Sequence, residues 1–220
     1  GNRLQDTGFD QYGIHTKLAV RPSPLSSLTL YYQGSRQERA RGYKDLNGGL
    51  GRLRADFTPQ ILDFGYARFE KIKVGFLDSL AATFSANSQG DGFVRQNLSF
   101  TDPLTIDNSL VKAFGYSAQA NAHHLPGSAI VFGGEWYGET INSTRSTVNS
   151  VTSATALQRP LYPDNSKYRI AAMYGLHRWN LLASRLRLEA GGRFTHVRYA
   201  NETDPRFRII ASEQTFRDFS

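Results

Sequence analysis

Hydrophobic and polar residues alternate along much of this chain, most regularly at residues 185–199, RLRLEAGGRFTHVRY. One set of alternating positions is apolar or small: Leu186, Leu188, Ala190, Gly192 and Phe194. The set between them is mostly ionic or polar: Arg185, Arg187, Glu189, Gly191, Arg193 and Thr195. Successive side chains of a β-strand point to opposite faces, so this stretch predicts a strand with one apolar and one ionic face. It is much longer than the average globular strand of about 5 to 6 residues.

The same alternation recurs along the whole chain, and capped helix-period stretches do not. It predicts strands at about 9–21, 27–39, 60–73, 78–90, 108–122, 128–140, 168–180 and 184–199, with a ninth beginning near Phe216. The segment 108–122 is less regular, because Lys112 falls in step with Phe114 and Tyr116. The predicted fold class is therefore all-β.

The connections between these strands alternate between short and long. Short turns are predicted at 22–26, 74–77, 124–127 and 181–183. Polar loops are predicted at about 40–59, 91–107, 141–167 and 200–215. The short turns recur every 50 to 57 residues. This spacing predicts an up-and-down antiparallel sheet that has all its short turns at one end and its long loops at the other.

Such a sheet is suited to a membrane. A tilted strand crosses a bilayer in about 9 to 11 residues, and lipid offers no hydrogen-bond partner, so the strands must pair into a closed barrel. Transmembrane barrels have short periplasmic turns, long extracellular loops, an apolar exterior, a polar interior and aromatic girdles at both interfaces. Several aromatic residues near predicted strand ends fit such girdles: Phe9, Tyr12, Phe76, Trp179 and Tyr199. The pattern predicts part of an up-and-down transmembrane β-barrel of about eight or nine strands.

Two other architectures remain open, each with a binding or structural role. A complete small eight-stranded barrel needs an even strand count, whereas the residues after Phe216 begin a ninth strand. A soluble β-sandwich would use the aromatic residues as core, but it fits the long loops and the ionic face less well.

Composition narrows the function classes. The net charge of +7 comes from 26 Lys and Arg that are scattered without a basic run, so no nucleic-acid partner is predicted. The chain contains no cysteine, which excludes disulfides, thiolate metal sites and cysteine nucleophiles. No window approaches the roughly 18 to 20 apolar residues of a transmembrane helix.

Catalytic and metal-binding patterns are not found. His123 and His124 are adjacent, so on a strand they point to opposite faces and do not chelate one metal easily. Glu135 and Glu139 share a face but would lie about 13 Å apart on a strand, beyond the ~9.5 Å limit of paired-carboxylate hydrolysis. We therefore predict no enzyme activity, no metal site and no cofactor.

Residues 184–220 also contain recognisable sequence motifs. SRLRLEAGGRFTHVRY follows a short turn, and the phrase FRDFS at 216–220 follows the next loop. DTGFDQYGIHTKLAVRP, near the start, is similar to a middle barrel strand. With these phrases the chain resembles the barrel domain of TonB-dependent outer-membrane receptors, whose barrels have about 22 strands. The resemblance implies that residues 1–220 form part of one barrel domain, without the plug domain and the remaining strands.

The family resemblance also implies a function and a location. Such a receptor sits in the outer membrane of a Gram-negative bacterium, contacts outer-membrane lipid and couples to the TonB complex through its plug. It imports a scarce small molecule or metal chelate, here expected to be a ferric siderophore, with haem, cobalamin or a glycan as other possibilities. Substrate-binding candidates on the ionic faces of strands are Glu135, Tyr137, Glu139, Arg193 and Thr195. Candidates in the predicted loops are Tyr43, Asp91, Arg145 and Tyr162.

Overall fold

The structure, a computed structural model, describes residues 8–42, 51–182 and 185–220, with only the backbone of His124. It contains eleven strands: β1 (Asp10–Ser23), β2 (Ser26–Glu38), β3 (Ala40–Arg41), β4 (Arg54–Val74), β5 (Leu77–Gln96), β6 (Leu104–Leu125), β7 (Ser128–Val148), β8 (Thr155–Gln158), β9 (Ser166–Leu181), β10 (Leu186–Asn201) and β11 (Ser212–Phe219). A 3-10 turn lies at Pro205–Phe207. In the described part of the chain, no helix has the length and hydrophobicity to span a membrane.

All strands join one antiparallel sheet. Its order is β1-β2-β4-β5-β6-β7-β9-β10-β11, with β3 paired to β4 and β8 paired to β7. Neighbours along this path follow chain order, which confirms the predicted up-and-down topology. Among the described residues the sheet does not close into a ring, since β1 and β11 are its edges, and no second sheet packs on it. The eight-stranded barrel and the β-sandwich are therefore wrong.

The nine predicted strands are confirmed, but four predicted loops are too long. β4 begins at Arg54, β5 continues to Gln96, β6 begins at Leu104, β7 continues to Val148 and β11 begins at Ser212. In these extensions polar residues also occupy the apolar face, as Asn142, Thr144 and Ser146 do in β7, so their composition resembles that of a loop. Backbone pairing nevertheless continues, for example between Arg54 and Gln96. The ladder satisfies the backbone whichever side chains the strand carries.

The short turns form one end of the sheet, here called the turn end, and the opposite end is called the loop end. β6 and β7 are joined by Pro126 and Gly127 alone. Gly127 has a φ of +77°, and an added Cβ would lie 2.8 Å from the carbonyl oxygen of Asn180. Only glycine fits this position without strain, because both its backbone angle and its surroundings exclude a side chain.

The register gives the sheet two chemically different faces. The apolar face carries Leu18, Phe84, Tyr116, Trp136 and Phe194, and the polar face carries Gln33, Ser85, Ser117, Glu135 and Arg193. Large side chains on the apolar face stay uncovered: Phe84 is 54% exposed, Tyr116 56% and Met173 65%. The buried apolar residues are mostly alanines. The sheet thus has an extended apolar surface and no packed core, which is unusual for a protein surrounded by water.

The predicted division of β10 into faces is confirmed. Leu186, Leu188, Ala190 and Phe194 share the apolar face, while Arg187, Glu189, Arg193 and Thr195 share the polar face. Of the predicted girdle residues, Trp179 lies on the apolar face, opposite Leu188. Tyr199 is a correction: it pairs with Tyr168 on the polar face, where its hydroxyl lies 3.5 Å from Ser166 Oγ. Proximity to a strand end does not determine the face, because that depends on the parity of the position.

Candidate functional site at the loop end of the polar face

Three of the predicted residues meet on the polar face. The Arg193 guanidinium of β10 forms an ion pair with the Glu135 carboxylate of β7 and donates from Nε to Thr195 Oγ1 at 3.2 Å. The two charged side chains are 42% and 22% exposed, respectively. Strand β9 runs between them, so the ion pair ties three strands together across the face.

Tyr174 of β9 lies in the gap beneath this ion pair. Its backbone position pairs with both Arg193 and Gly133, and its hydroxyl donates to Gln119 Oε1 at 3.0 Å. A Cβ on Gly133 would come within 2.7 Å of that hydroxyl oxygen. Gly133 therefore leaves the space in which Tyr174 reaches from β9 to β6.

Tyr137 and Glu139 continue along β7 toward the loop end. The Tyr137 ring covers Gly115, where an added Cβ would lie 2.4 Å from Tyr137 Cδ1. Glu139 stands between Ala113 and Tyr168 in the register. These two residues thus line the polar face between the Arg193–Glu135 pair and the loop end.

A cavity of about 420 Å³ opens at the loop end of the polar face, and we call it the loop-end cavity. Three predicted residues line it: Asp91 of β5, Arg145 of β7 and Tyr162 of the segment after β8. Charged and aromatic residues that the sequence did not single out complete its wall: Phe57, Phe93, Arg95 and Asp107. The structure therefore brings Asp91 together with Arg145 and Tyr162, which lie more than 50 residues further along the chain.

A β-bulge in β4 shapes one wall of this cavity. Phe57 pairs with Phe93 and Gln60 pairs with Asp91, so Thr58 and Pro59 together oppose Gly92. The extra residue turns Phe57 onto the polar face, where its ring centroid lies 4.7 Å from that of Phe93. A Cβ on Gly92 would lie 2.2 Å from the Thr58 carbonyl oxygen. Glycine and proline are the residues expected at such a bulge, because the backbones approach closely and Pro59 has no N–H to pair.

The charged side chains of the cavity differ in whether they have an ion-pair partner. Arg145 and Asp107 form an ion pair with side chains only 25% and 15% exposed. Asp91 accepts a hydrogen bond from Gln89 Nε2 at 3.4 Å. In the described part of the chain, Arg95 has no ion-pair partner. Asp91 and Arg95 are thus the charges most available to a ligand.

The segment 149–165 carries Tyr162 to the cavity and is fixed at both ends. Asn149 Oδ1 accepts hydrogen bonds from the backbone N–H groups of Val151 and Thr152, both at 2.9 Å. β8 pairs with β7 next to Arg145. Asp164 Oδ1 accepts from the Ser143 N–H at 3.0 Å. These contacts hold Leu161 and Tyr162 over the polar face.

Ion pairs also order the last loop, outside the strands. Arg206 donates to both oxygens of Asp204, at 3.0 and 2.9 Å. This hydrogen bond from the Arg206 side chain lowers the pKa of Asp204. The pKa of Glu202 is lowered first by a hydrogen bond from Asn165 and then by Lys167. Both carboxylates therefore remain charged at neutral pH next to their cationic partners.

The structure describes three of the four binding residues that were predicted to lie in loops. Tyr43 lies outside the described residues. Asp91 and Arg145 were predicted to lie in loops, and this is wrong: they lie in the extended ends of β5 and β7. Tyr162 lies in a loop as predicted. Phe57 was missed because strict alternation puts it on the opposite face, and the Thr58-Pro59 pair was the only signal of a bulge. Among the described residues, no three His, Asp or Glu side chains are grouped as a metal site.

A single antiparallel sheet of long strands, with one uncovered apolar face, one polar face and alternating short and long connections, is the wall of a transmembrane β-barrel. The family model described as TonB dependent receptor-like, beta-barrel matches residues 1–220. The chain belongs to this family. A search of curated proteins finds no match.

Two solved structures are similar to this chain. The copper transporter OprC superimposes with a TM-score of 0.71 at 14% sequence identity, over 96% of this chain and 33% of that protein. The ferric citrate transporter FecA, in its unliganded form, superimposes with a TM-score of 0.70 at 9% identity, over 98% of this chain and 33% of that protein. The chain thus spans a third of the length of each, and identities this low establish the shared fold alone.

Proposed function

We propose that this chain is part of the barrel of a TonB-dependent receptor that imports a scarce nutrient across the outer membrane of a Gram-negative bacterium. The observation that carries this proposal is the family match along all 220 residues. That two similar structures are named as transporters of copper and of ferric citrate supports import rather than catalysis. Residues 1–220 then form part of one barrel domain, which is supported by the single sheet that all the described strands join.

Membership of this family assigns a direction to the sheet. The apolar face contacts lipid and the polar face lines the lumen. The turn end lies in the periplasm, and the loop end lies outside the cell. The loop-end cavity is then the first part of the lumen wall that an arriving substrate meets. Transport is driven by the TonB complex acting through a plug domain in the lumen.

A ferric siderophore is the substrate we favour, ahead of haem, cobalamin or a glycan. Asp91, Arg95 and Arg145 supply both signs of charge, and Phe57, Phe93 and Tyr162 supply rings on which a chelate can pack. The volume of about 420 Å³ lies within the usual range of ligand pockets, roughly 300 to 1,000 Å³. The lumen wall on the turn-end side of the cavity carries the remaining described candidates: Glu135, Tyr137, Glu139, Arg193 and Thr195. They are candidates for a second set of contacts during passage.

Uptake by living cells tests the import function. A strain that lacks the intact protein, and the same strain with the gene restored, are given a panel of radiolabelled ferric siderophores, haem, cobalamin and glycans. We expect restored, TonB-dependent uptake of at least one ferric siderophore. If the restored gene gives uptake of haem, cobalamin or a glycan but of no ferric siderophore, the proposed substrate class is rejected. Absence of TonB-dependent uptake of every compound would reject the function.

Arg145→Ala in the intact protein tests the loop-end cavity. Removing a partly buried charge that contacts a ligand costs about 1.5 to 3 kcal/mol, so we expect the KM of uptake to rise about tenfold or more. Arg178→Ala is the matched control, because Arg178 is also an ion-paired arginine of the polar face, 2.6 Å from Glu189, but lies near the turn end. An equal change of KM in both variants would show that the cavity is not the binding site.

A further inference from the structure

Three cations lie on the apolar face at its loop end: Lys167 and Arg169 of β9 and Arg198 of β10. We call them the outer basic cluster. Arg169 and Arg198 are directly opposite each other in the antiparallel register, and Lys167 is two residues from Arg169 on the same face. Like charges that face each other across a strand pair destabilise it. A face that is apolar near the turn end therefore ends in concentrated positive charge.

Nearby carboxylates compensate this charge only in part. Lys167 Nζ lies 3.1 Å from Glu202 Oε1, and Arg198 Nη2 lies 2.7 Å from Glu213 Oε2. The exposed Arg169 guanidinium has no ion-pair partner in the part of the chain that the structure describes. Lys112 belongs to the same register row as Lys167, two strands away or about 10 Å. The local balance is therefore positive.

An aromatic group fixes the depth of this cluster along the face. The Trp136 ring centroid lies 5.3 Å from that of Phe114 and 5.5 Å from that of Tyr116. The indole also covers Gly138, where a Cβ would come within 2.5 Å of the ring. Gly138 pairs directly with Arg169. Because aromatic side chains of barrels lie at the membrane–water interface, the outer basic cluster lies at the level of the lipid headgroups.

The outer basic cluster also forms a concave site. Lys167, Arg169 and Arg198 line a cavity of about 240 Å³ together with Asn165 and Glu202. Toward the turn end the same face continues with Met173 and Phe194, which pair with each other and expose apolar side chains. A ligand that fills both regions has an anionic head and hydrocarbon chains.

We propose that the outer basic cluster binds the phosphate group of a lipid in the surrounding leaflet, whose acyl chains run along Met173 and Phe194. Guanidinium groups bind phosphate through paired hydrogen bonds, and lysine contributes a point charge. A free anion would use the cations but not the apolar surface, which is why a lipid is the favoured occupant. The inference rests on the membrane location in the proposed function. It also explains why Lys112 interrupts an otherwise apolar alternation.

Lipid binding to the purified intact protein, in a phosphate-free detergent, provides the test. The probe is bis-phosphorylated lipid A, titrated and followed by native mass spectrometry. We expect Lys167→Ala/Arg169→Ala/Arg198→Ala to bind the probe at least tenfold more weakly than the unmodified protein. Lys71→Ala is the control, because Lys71 lies on the apolar face opposite Leu80 but near the turn end. It should bind lipid A normally.

The single variant Arg169→Gln tests the same inference if the triple variant does not fold. Arg169→Gln removes no ion pair and should weaken lipid A binding about threefold while uptake stays normal. Dephosphorylated lipid A should bind weakly to every variant. Unchanged lipid A binding by Arg169→Gln and the triple variant would overturn the inference. So would inorganic phosphate that competes as well as the lipid, since this identifies a free-anion site. Failed uptake with intact lipid A binding would instead contradict only the proposed function.

Discussion

The Arg193–Glu135 ion pair joins residues that are 58 positions apart in the chain and lie on strands with another strand between them. Exposed ion pairs contribute about 0.2 to 1 kcal/mol, and breaking a pair costs more where it leaves a buried charge uncompensated. Glu135 is the more buried partner. Loss of the Glu135 carboxylate would leave the Arg193 guanidinium with Thr195 as its only side-chain acceptor among the described residues.

Glu135→Gln should therefore lower the stability of the intact protein by roughly 1 kcal/mol, measured as the urea midpoint of unfolding in lipid bilayers. Glu139→Gln is the matched control, since Glu139 lies on the same strand and face but outside this ion pair. We expect it to leave the midpoint within the error of the measurement. Equal midpoints for the two variants would show that the ion pair does not stabilise the sheet.

Part of the candidate site could be predicted from single residues. Parity along a strand assigns Glu135, Arg193 and Thr195 to one face, because side chains alternate without exception in a regular strand. It does not say that Arg193 reaches Glu135, since this depends on the register of β9 between them. The face of Phe57 could not be predicted for a related reason. A bulge reverses the parity of the positions beyond it, and the position of the bulge depends on how two strands pair.

At the scale of one element, β4 shows what a single extra residue does. Without the bulge at Thr58 and Pro59, Phe57 would lie on the apolar face and the loop-end cavity would lose a wall. Gly92 permits the bulge because its hydrogen leaves room for the Thr58 carbonyl oxygen. The Phe57–Phe93 ring contact then follows from the restored register.

Gly92→Ala should disrupt this arrangement. A Cβ placed 2.2 Å from a backbone oxygen must displace it, and overpacking of this kind costs about 1 to 3 kcal/mol. We expect a lower unfolding midpoint together with weaker substrate uptake. Gly175→Ala is the control, because a Cβ at Gly175 meets no atom within 4 Å. A stable Gly92→Ala variant with normal uptake would show that the bulge does not support the cavity.

The limits of the strands were the part of the fold that the sequence predicted least well. The middle of each strand alternates because one face is apolar, and this alternation is visible in the sequence. Beyond the apolar band both faces are polar, as in residues 142–147 of β7, so the alternation disappears although the ladder continues. The sequence thus marks the apolar band rather than the length of the strand.

At the scale of the whole molecule, the two faces give one account of architecture and function. A single sheet leaves large apolar side chains uncovered on one side and gathers ion pairs on the other. In water such a surface would drive association. In a barrel wall the apolar face meets lipid, the polar face lines the lumen, and both the loop-end cavity and the outer basic cluster lie at the outer end.

Spin labels along β10 can determine which face of the sheet contacts lipid. This chain contains no cysteine, so single cysteines can be introduced at residues 188–195 of the intact protein, with any cysteine outside these 220 residues replaced by serine, and labelled with a nitroxide. In lipid bilayers we expect collisions with dissolved oxygen, which concentrates in hydrocarbon, to be frequent at even-numbered positions such as Leu188 and Phe194. They should be rare at odd-numbered positions such as Glu189 and Thr195. Oxygen collisions that do not alternate, or that peak at the odd positions, would contradict the account.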